Sequence, residues 1–218
     1  MRKVSMVGLT FTLLGAIVLG GAAGVAVAAA FDNIVPTVSY GSLCAQGSGP
    51  GTGSVFQTDN GTVTVWLQSS VAQYASDAAA VKKSLNESYD GTAALTVSYP
   101  SSAVYSGSGE TDSIYQEGSM PAGGGYVGYA WCDDPVDGSL YAGDQQYVRF
   151  LSTYSVHRSL ACHETGHAVG LLHGPDAFPA VSDSDTALGC MHRPDAATDT
   201  GTWAYLGSTN VYWIDQTY

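Results

Sequence analysis

Positive charge is scarce in this sequence: seven lysines and arginines stand against 19 aspartates and glutamates in 218 residues. The formal net charge of −12 repels phosphate backbones and anionic headgroups, which excludes nucleic acid and anionic membrane surfaces as partners. Charged residues of both signs reach only 12%, while glycine, serine, threonine and tyrosine are abundant, a composition more extracellular than cytosolic. No internal repeat is present, and the length excludes two large domains. An apolar share of 45% is enough for one ordinary core.

A long apolar run occurs once, at the start. Arg2 and Lys3 precede an uncharged stretch from Val4 to Ala30 that ends in Ala28-Ala29-Ala30. A basic start, an apolar centre and a small-residue exit read as a secretory signal over residues 1–30, cut after Ala30. The run is also long enough to span a bilayer, so a retained anchor is the alternative. Removing it leaves five basic residues against 19 acidic ones, a net charge of −14. The mature protein is then expected to be secreted, monomeric and without stable membrane association. Its four cysteines, Cys44, Cys132, Cys162 and Cys190, form an even set that implies two disulfides with three possible connectivities.

Residues 31–53 show little regular pattern and end in the Gly/Ser/Pro-rich Gly47–Ser54, so they read as an N-terminal lead-in or short pro-segment before a domain over 54–218. Thr62–Leu67 alternates and is β-branched, which predicts a strand. Val71, Tyr74, Ala75, Ala78, Val81, Leu85 and Tyr89 recur at three- and four-residue steps and predict one helix, with Ser70 and Gln73 as a capping box and Gly91 as its stop. Further strands are expected at Leu95–Tyr99, Ser113–Gln116, Tyr126–Trp131 and Gln146–Ser152. A second helix is expected from about Ser155 to Val169, and a C-terminal one around Thr209–Gln216. This order defines a mixed α+β domain with one principal sheet.

Residues 163–173 read His-Glu-Thr-Gly-His-Ala-Val-Gly-Leu-Leu-His. His163 and His167, four apart on the predicted helix, project from one face, the spacing for two ligands of one zinc ion. Glu164 lies beside the first ligand, placed to act as general base on a water and then as acid. Gly170 permits the left-handed turn that ends the helix and brings His173 back as third ligand. Three protein ligands leave one position for chemistry, whereas structural zinc sites usually carry four. Core histidines satisfied by hydrogen bonds are the bland alternative, which this combination disfavours. His157 and His192 remain as spare histidines, His157 on the helix surface.

The pattern His163-Glu164-x-x-His167-x-x-Gly170-x-x-His173 resembles the extended zinc signature of the metzincin clan of metallopeptidases. The resemblance covers roughly 54–218. It implies a zincin domain: a mixed twisted sheet with an active-site helix, an irregular lower subdomain with a methionine turn, and a C-terminal helix. Met191, the only methionine after the motif, fits that turn. Arg193 stands where some metzincin families carry tyrosine, so a tyrosine ligand or oxyanion helper is not carried over. His173 stands where the snapalysin-type enzymes place aspartate, so no subfamily is assigned. Cys162 precedes the first ligand and Cys190 precedes Met191; a disulfide between them would tie helix to turn and leave Cys44 for Cys132. The alternatives are Cys162 as a small packed residue and Cys44 as a latency thiol like the matrixins' cysteine switch, although Ser42–Gln46 does not match that switch.

Asp133, Asp134, Asp137 and Asp144 offer hard oxygen ligands that could hold calcium, or form a solvated acidic loop. Tyr126–Tyr129 could line a cleft and bind substrate backbone by strand addition. The expectation is a secreted zinc endopeptidase acting on protein or peptide. A non-catalytic secreted zinc-containing binding module on the same fold is the alternative, and a hydrolase of a non-peptide bond is a third class.

Overall fold

The structure is a computed structural model that describes residues 30–40, 44, 55–107, 109–120, 125–136, 139–193 and 195–218. The expected signal segment (Ala30 apart), most of 41–53 and Asp137 lie outside the described residues.

Five strands run parallel and one antiparallel. In chain order they are β1 (Gln57–Thr58), β2 (Thr62–Leu67), β3 (Thr96–Ser98), β4 (Ser113–Gly118), β5 (Gly128–Pro135) and β6 (Ala142–Leu151). The sheet order is β1-β6-β4-β2-β3, with β5 pairing antiparallel to β6. Parallel β2 and β3 need a crossover, which α1 (Ser69–Ala72) and α2 (Ala75–Ser84) supply, followed by a π-helical turn over Leu85–Tyr89. Helix α3 (Arg158–Ala168) packs against β5, β6 and α2, and α4 (Ser208–Thr217) closes the chain. Among the described residues this is a mixed fold of four helices on a mostly parallel six-stranded sheet.

The first predicted helix is in fact broken. Tyr74 is extended (φ −99°, ψ 104°) and starts α2, so Tyr74 and Ala75 face solvent. Below the break the buried stripe runs Asp77, Ala80, Val81, Ser84, Leu85, Ser88 and Tyr89, one step off the expected register at its start. The capping box does not form. Ser70 Oγ instead accepts from Glu117 N at 3.0 Å, joining α1 to β4. The second helix starts at Arg158 rather than Ser155, because His157 is extended and Asp199 Oδ1, 41 residues on, accepts from Arg158 N at 2.8 Å.

The largest departure concerns the lead-in. Residues 31–35 are built into the core: Phe31, Ile34 and Val35 are buried. Asp32 pairs with Phe178 in both directions, Leu172 N donates to Asn33 O (2.7 Å), and Val35 N donates to Gly170 O (3.0 Å). Apolar Phe31, Ile34 and Val35 carry this packing, at a spacing too irregular to register as strand or helix.

Candidate metal centre and cleft

The end of α3 builds the centre. Gly170 has φ +93°, Leu171 N reaches back to Gly166 O (2.8 Å) and Gly170 N to His167 O (3.3 Å). These two bonds satisfy the last carbonyls of the helix and reverse the chain, as a left-handed glycine cap does. The reversal brings His173 to the face that carries His163 and His167. The three Nε2 atoms stand 3.0, 3.1 and 3.2 Å apart.

These rings cannot all bond one another. His163 Nδ1 lies 2.8 Å from Cys190 O and His167 Nδ1 2.8 Å from Leu171 O, so each Nδ1 carries the proton it donates and each Nε2 presents a lone pair. Burial keeps the rings neutral: the His163 pKa is lowered, that of His167 falls to about 3, with His163 as second cause, and that of His173 lies well below the ordinary range. Converging acceptors with no proton between them are what a cation requires. Nitrogens about 2.0–2.1 Å from a tetrahedral ion would stand about 3.4 Å apart, close to the spacing seen. Among the described residues this triad is the one group of His, Cys, Asp or Glu donors converging within 4.8 Å, and it could hold a metal ion. Of the acidic cluster that could hold calcium or form a solvated loop, the described Asp133, Asp134 and Asp144 form no such group.

Glu164 is buried beside the triad, its pKa pushed up to about 8 by burial and secondarily by Asp195. Gly128, the first residue of β5, lies directly over it; a Cβ there would stand 2.6 Å from Cγ and 2.7 Å from Cδ of Glu164. Beneath the helix, Met191 is fully buried with its sulfur against Gly166, where a Cβ would overlap it. A glycine inside a helix costs about 1 kcal/mol, so its presence here marks a close approach. Met191 thus packs beneath α3 at Gly166.

Both disulfides are present, Cys162–Cys190 and Cys44–Cys132. The first fixes the carbonyl of Cys190 that orients His163. Replacing both Cys162 and Cys190 by alanine should cost about 2–4 kcal/mol of stability in denaturant melts and weaken binding of a metal ion at the triad by about 10-fold. Unchanged metal affinity would show that the bridge does not position His163.

The cleft around the triad has two lobes of about 280 and 560 Å³, meeting at His163, Glu164, Gly128 and Arg193. Tyr126 and Tyr129, edge to face at 5.8 Å, line the first lobe with Tyr40 and Asp176. Leu160, Val127, Asp183 and Asp195 line the second. The far edge of β5 pairs with no strand among the described residues.

His157 and His192 stay out of the centre. His157 precedes α3 beside Asp199 (3.5 Å), and His192 stacks on Trp203 at 4.0 Å. Sequence reasoning put Gly128 in a cleft-lining segment but not over Glu164, missed Tyr40, and left Arg193 without a place. For Gly128 a signal existed, since a glycine opening an apolar strand marks a close approach. No protein-family model matches this chain, and a search of curated proteins finds no match. No described helix is long and apolar enough to cross a membrane.

Proposed function

We propose that this chain is a secreted zinc-dependent endopeptidase of the metzincin type. The observation that carries the reading is the convergence of three Nε2 atoms, 3.0–3.2 Å apart, with a buried carboxyl beside them in an open cleft. His163, His167 and His173 would hold zinc, the ion suited to neutral imidazoles with an open position. When bound, zinc supplies Lewis acidity toward a carbonyl and toward water.

The protein's own groups supply the rest. An extended peptide can add along the edge of β5 away from β6, which sets its backbone across the histidines. Gly128 leaves the space above Glu164 clear. Glu164 takes a proton from water as the water oxygen bonds the scissile carbon and the carbonyl π pair moves onto its oxygen. That pair then returns, the C–N bond breaks, and Glu164 passes its proton to the departing nitrogen, giving a carboxylic acid and an amine. Leu160 and Val127 offer apolar contact to a neighbouring side chain. The two disulfides and the apolar N-terminal run support export.

The test uses protein starting at Phe31, assayed for metal content and for cleavage of casein, gelatin and a peptide library. One zinc per chain, activity lost on chelation and restored by zinc, is the expected outcome. Full zinc occupancy with no cleavage of any substrate would overturn the reading and leave a zinc-containing binding module.

A further inference from the structure

Five basic side chains follow residue 30, and four are occupied elsewhere. Arg158 is fully buried between Glu87 (2.6 Å) and the Tyr205 ring (3.6 Å). Arg149 lies over Trp131 and bonds Gln116, away from the cleft. Lys82 and Lys83 close the last turn of α2. Arg193 alone among the described cations lines the cleft, and it lines both lobes. A polypeptide crossing from one lobe to the other therefore passes it.

Arg193 is held without being saturated. Its backbone N donates to Asp183 O at 3.0 Å, and Nη2 lies 3.5 Å from Asp183 Oδ2, a loose contact with the side chain 55% exposed. Nη1 points at the edge of the His173 ring, 3.4 Å from Nδ1. If His173 presents its Nε2 lone pair inward, Nδ1 carries a proton, and the contact sets donor against donor. His163 and His167 each have a carbonyl acceptor for that proton; His173 has a guanidinium. The cation beside His173 thus has donors to spare toward the cleft, with only the loose Asp183 contact to occupy them.

We propose that Arg193 is a catalytic residue that donates to the scissile carbonyl oxygen as that oxygen becomes an oxyanion. This rests on the peptidase reading above. A neutral carbonyl is a modest acceptor, whereas an oxyanion facing a permanent cation makes a charge-assisted bond roughly twice as strong. The interaction therefore grows along the reaction, which is what lowers a barrier. The neighbouring charges also separate this role from recognition of a substrate carboxylate. Asp176, Asp183 and Asp195 all border the cleft, so an acidic side chain entering it meets three like charges, while an oxyanion at the centre meets Arg193 and the triad.

The experiment compares the zinc-loaded parent with Arg193→Gln and Arg193→Lys. Zinc content, kcat and KM are read together with the affinity for a phosphinic peptide, which carries a tetrahedral anion, and for its neutral ketomethylene counterpart. Arg193→Gln should lower kcat by about 100-fold with KM and zinc content unchanged. It should weaken the phosphinic peptide by a similar factor and leave the ketomethylene peptide unaffected. Arg193→Lys, which keeps the charge, should recover part of both. Unchanged kcat and phosphinic affinity would overturn the proposal, as would a loss that tracks zinc release, or a KM rise confined to acidic peptides. A parent that cleaves nothing sinks the peptidase reading instead; an active parent matched by Arg193→Gln sinks this proposal alone.

Discussion

Glu164→Ala is expected to retain one zinc per chain and to cleave peptides about 10²–10⁴-fold more slowly than the parent. Zinc stays because the three converging nitrogens belong to His163, His167 and His173. The rate falls because no other carboxylate takes the place of Glu164: Asp195, the nearest charge acting on it, is engaged by Ser159 Oγ (2.6 Å) and Tyr154 OH (3.2 Å). Zinc content and steady-state kinetics on one peptide decide it, and parental kcat in the variant would end the mechanism. A second sign can be read without activity. In zinc-free protein the Glu164 pKa is raised from 4.5 to about 8 by burial, so the fold favours the protonated form. The parent then loses stability as pH rises from 4.5 through about 8, and Glu164→Ala removes that loss. Thermal melts of the two zinc-free proteins at pH 5 and pH 8 should diverge at the higher pH.

Gly128→Ala should be nearly as damaging to activity while leaving all three ligands in place. Its Cβ would fall on the Glu164 carboxyl group, so the carboxyl must rotate away or β5 must lift. Overpacking of this kind costs about 1–3 kcal/mol. A base displaced by an ångström costs on the order of 100-fold in rate. The double variant Gly128→Ala/Glu164→Ala should be no slower than Glu164→Ala alone, because both changes remove the same function. Additive losses would show that Gly128 serves the substrate instead.

The local part of the site was legible because it is written in the last two turns of α3 and its cap. His163, Glu164, His167 and Gly170 lie within eight consecutive residues, where spacing alone decides which side chains share a face. The long-range part was not. Gly128 meets Glu164 through the β5–β6 hairpin, and nothing near residue 128 announces which helix passes beneath it. Tyr40 enters the cleft through packing of residues 31–38, whose apolar positions follow no regular period. The helix break at Tyr74 was hidden because Tyr74 and Ala75 continue the apolar spacing of Val71, yet the chain turns there to seat Val71 in the core. The strand order escaped for a similar reason: β4 sits between β2 and β6, a choice set by crossover and packing.

The first residues of the domain clasp its hinge, and this sets an order of assembly. Asn33 bonds Leu172 across 139 positions, and Trp213 Nε1 donates to Phe31 O across 182. A chain crossing a membrane amino end first therefore carries one half of the clasp long before the other arrives, and contacts of such separation form late and slowly. The disulfides suit that schedule. Cys44 meets Cys132 before Cys162 and Cys190 emerge, so oxidation in order of appearance gives the native pairs with no reshuffling. The third histidine is secured last. On the exported-peptidase reading, a centre completed only when Phe31 and Asn33 have docked on Trp213 and Leu172 stays idle through export, so its own unfolded copies escape it during synthesis.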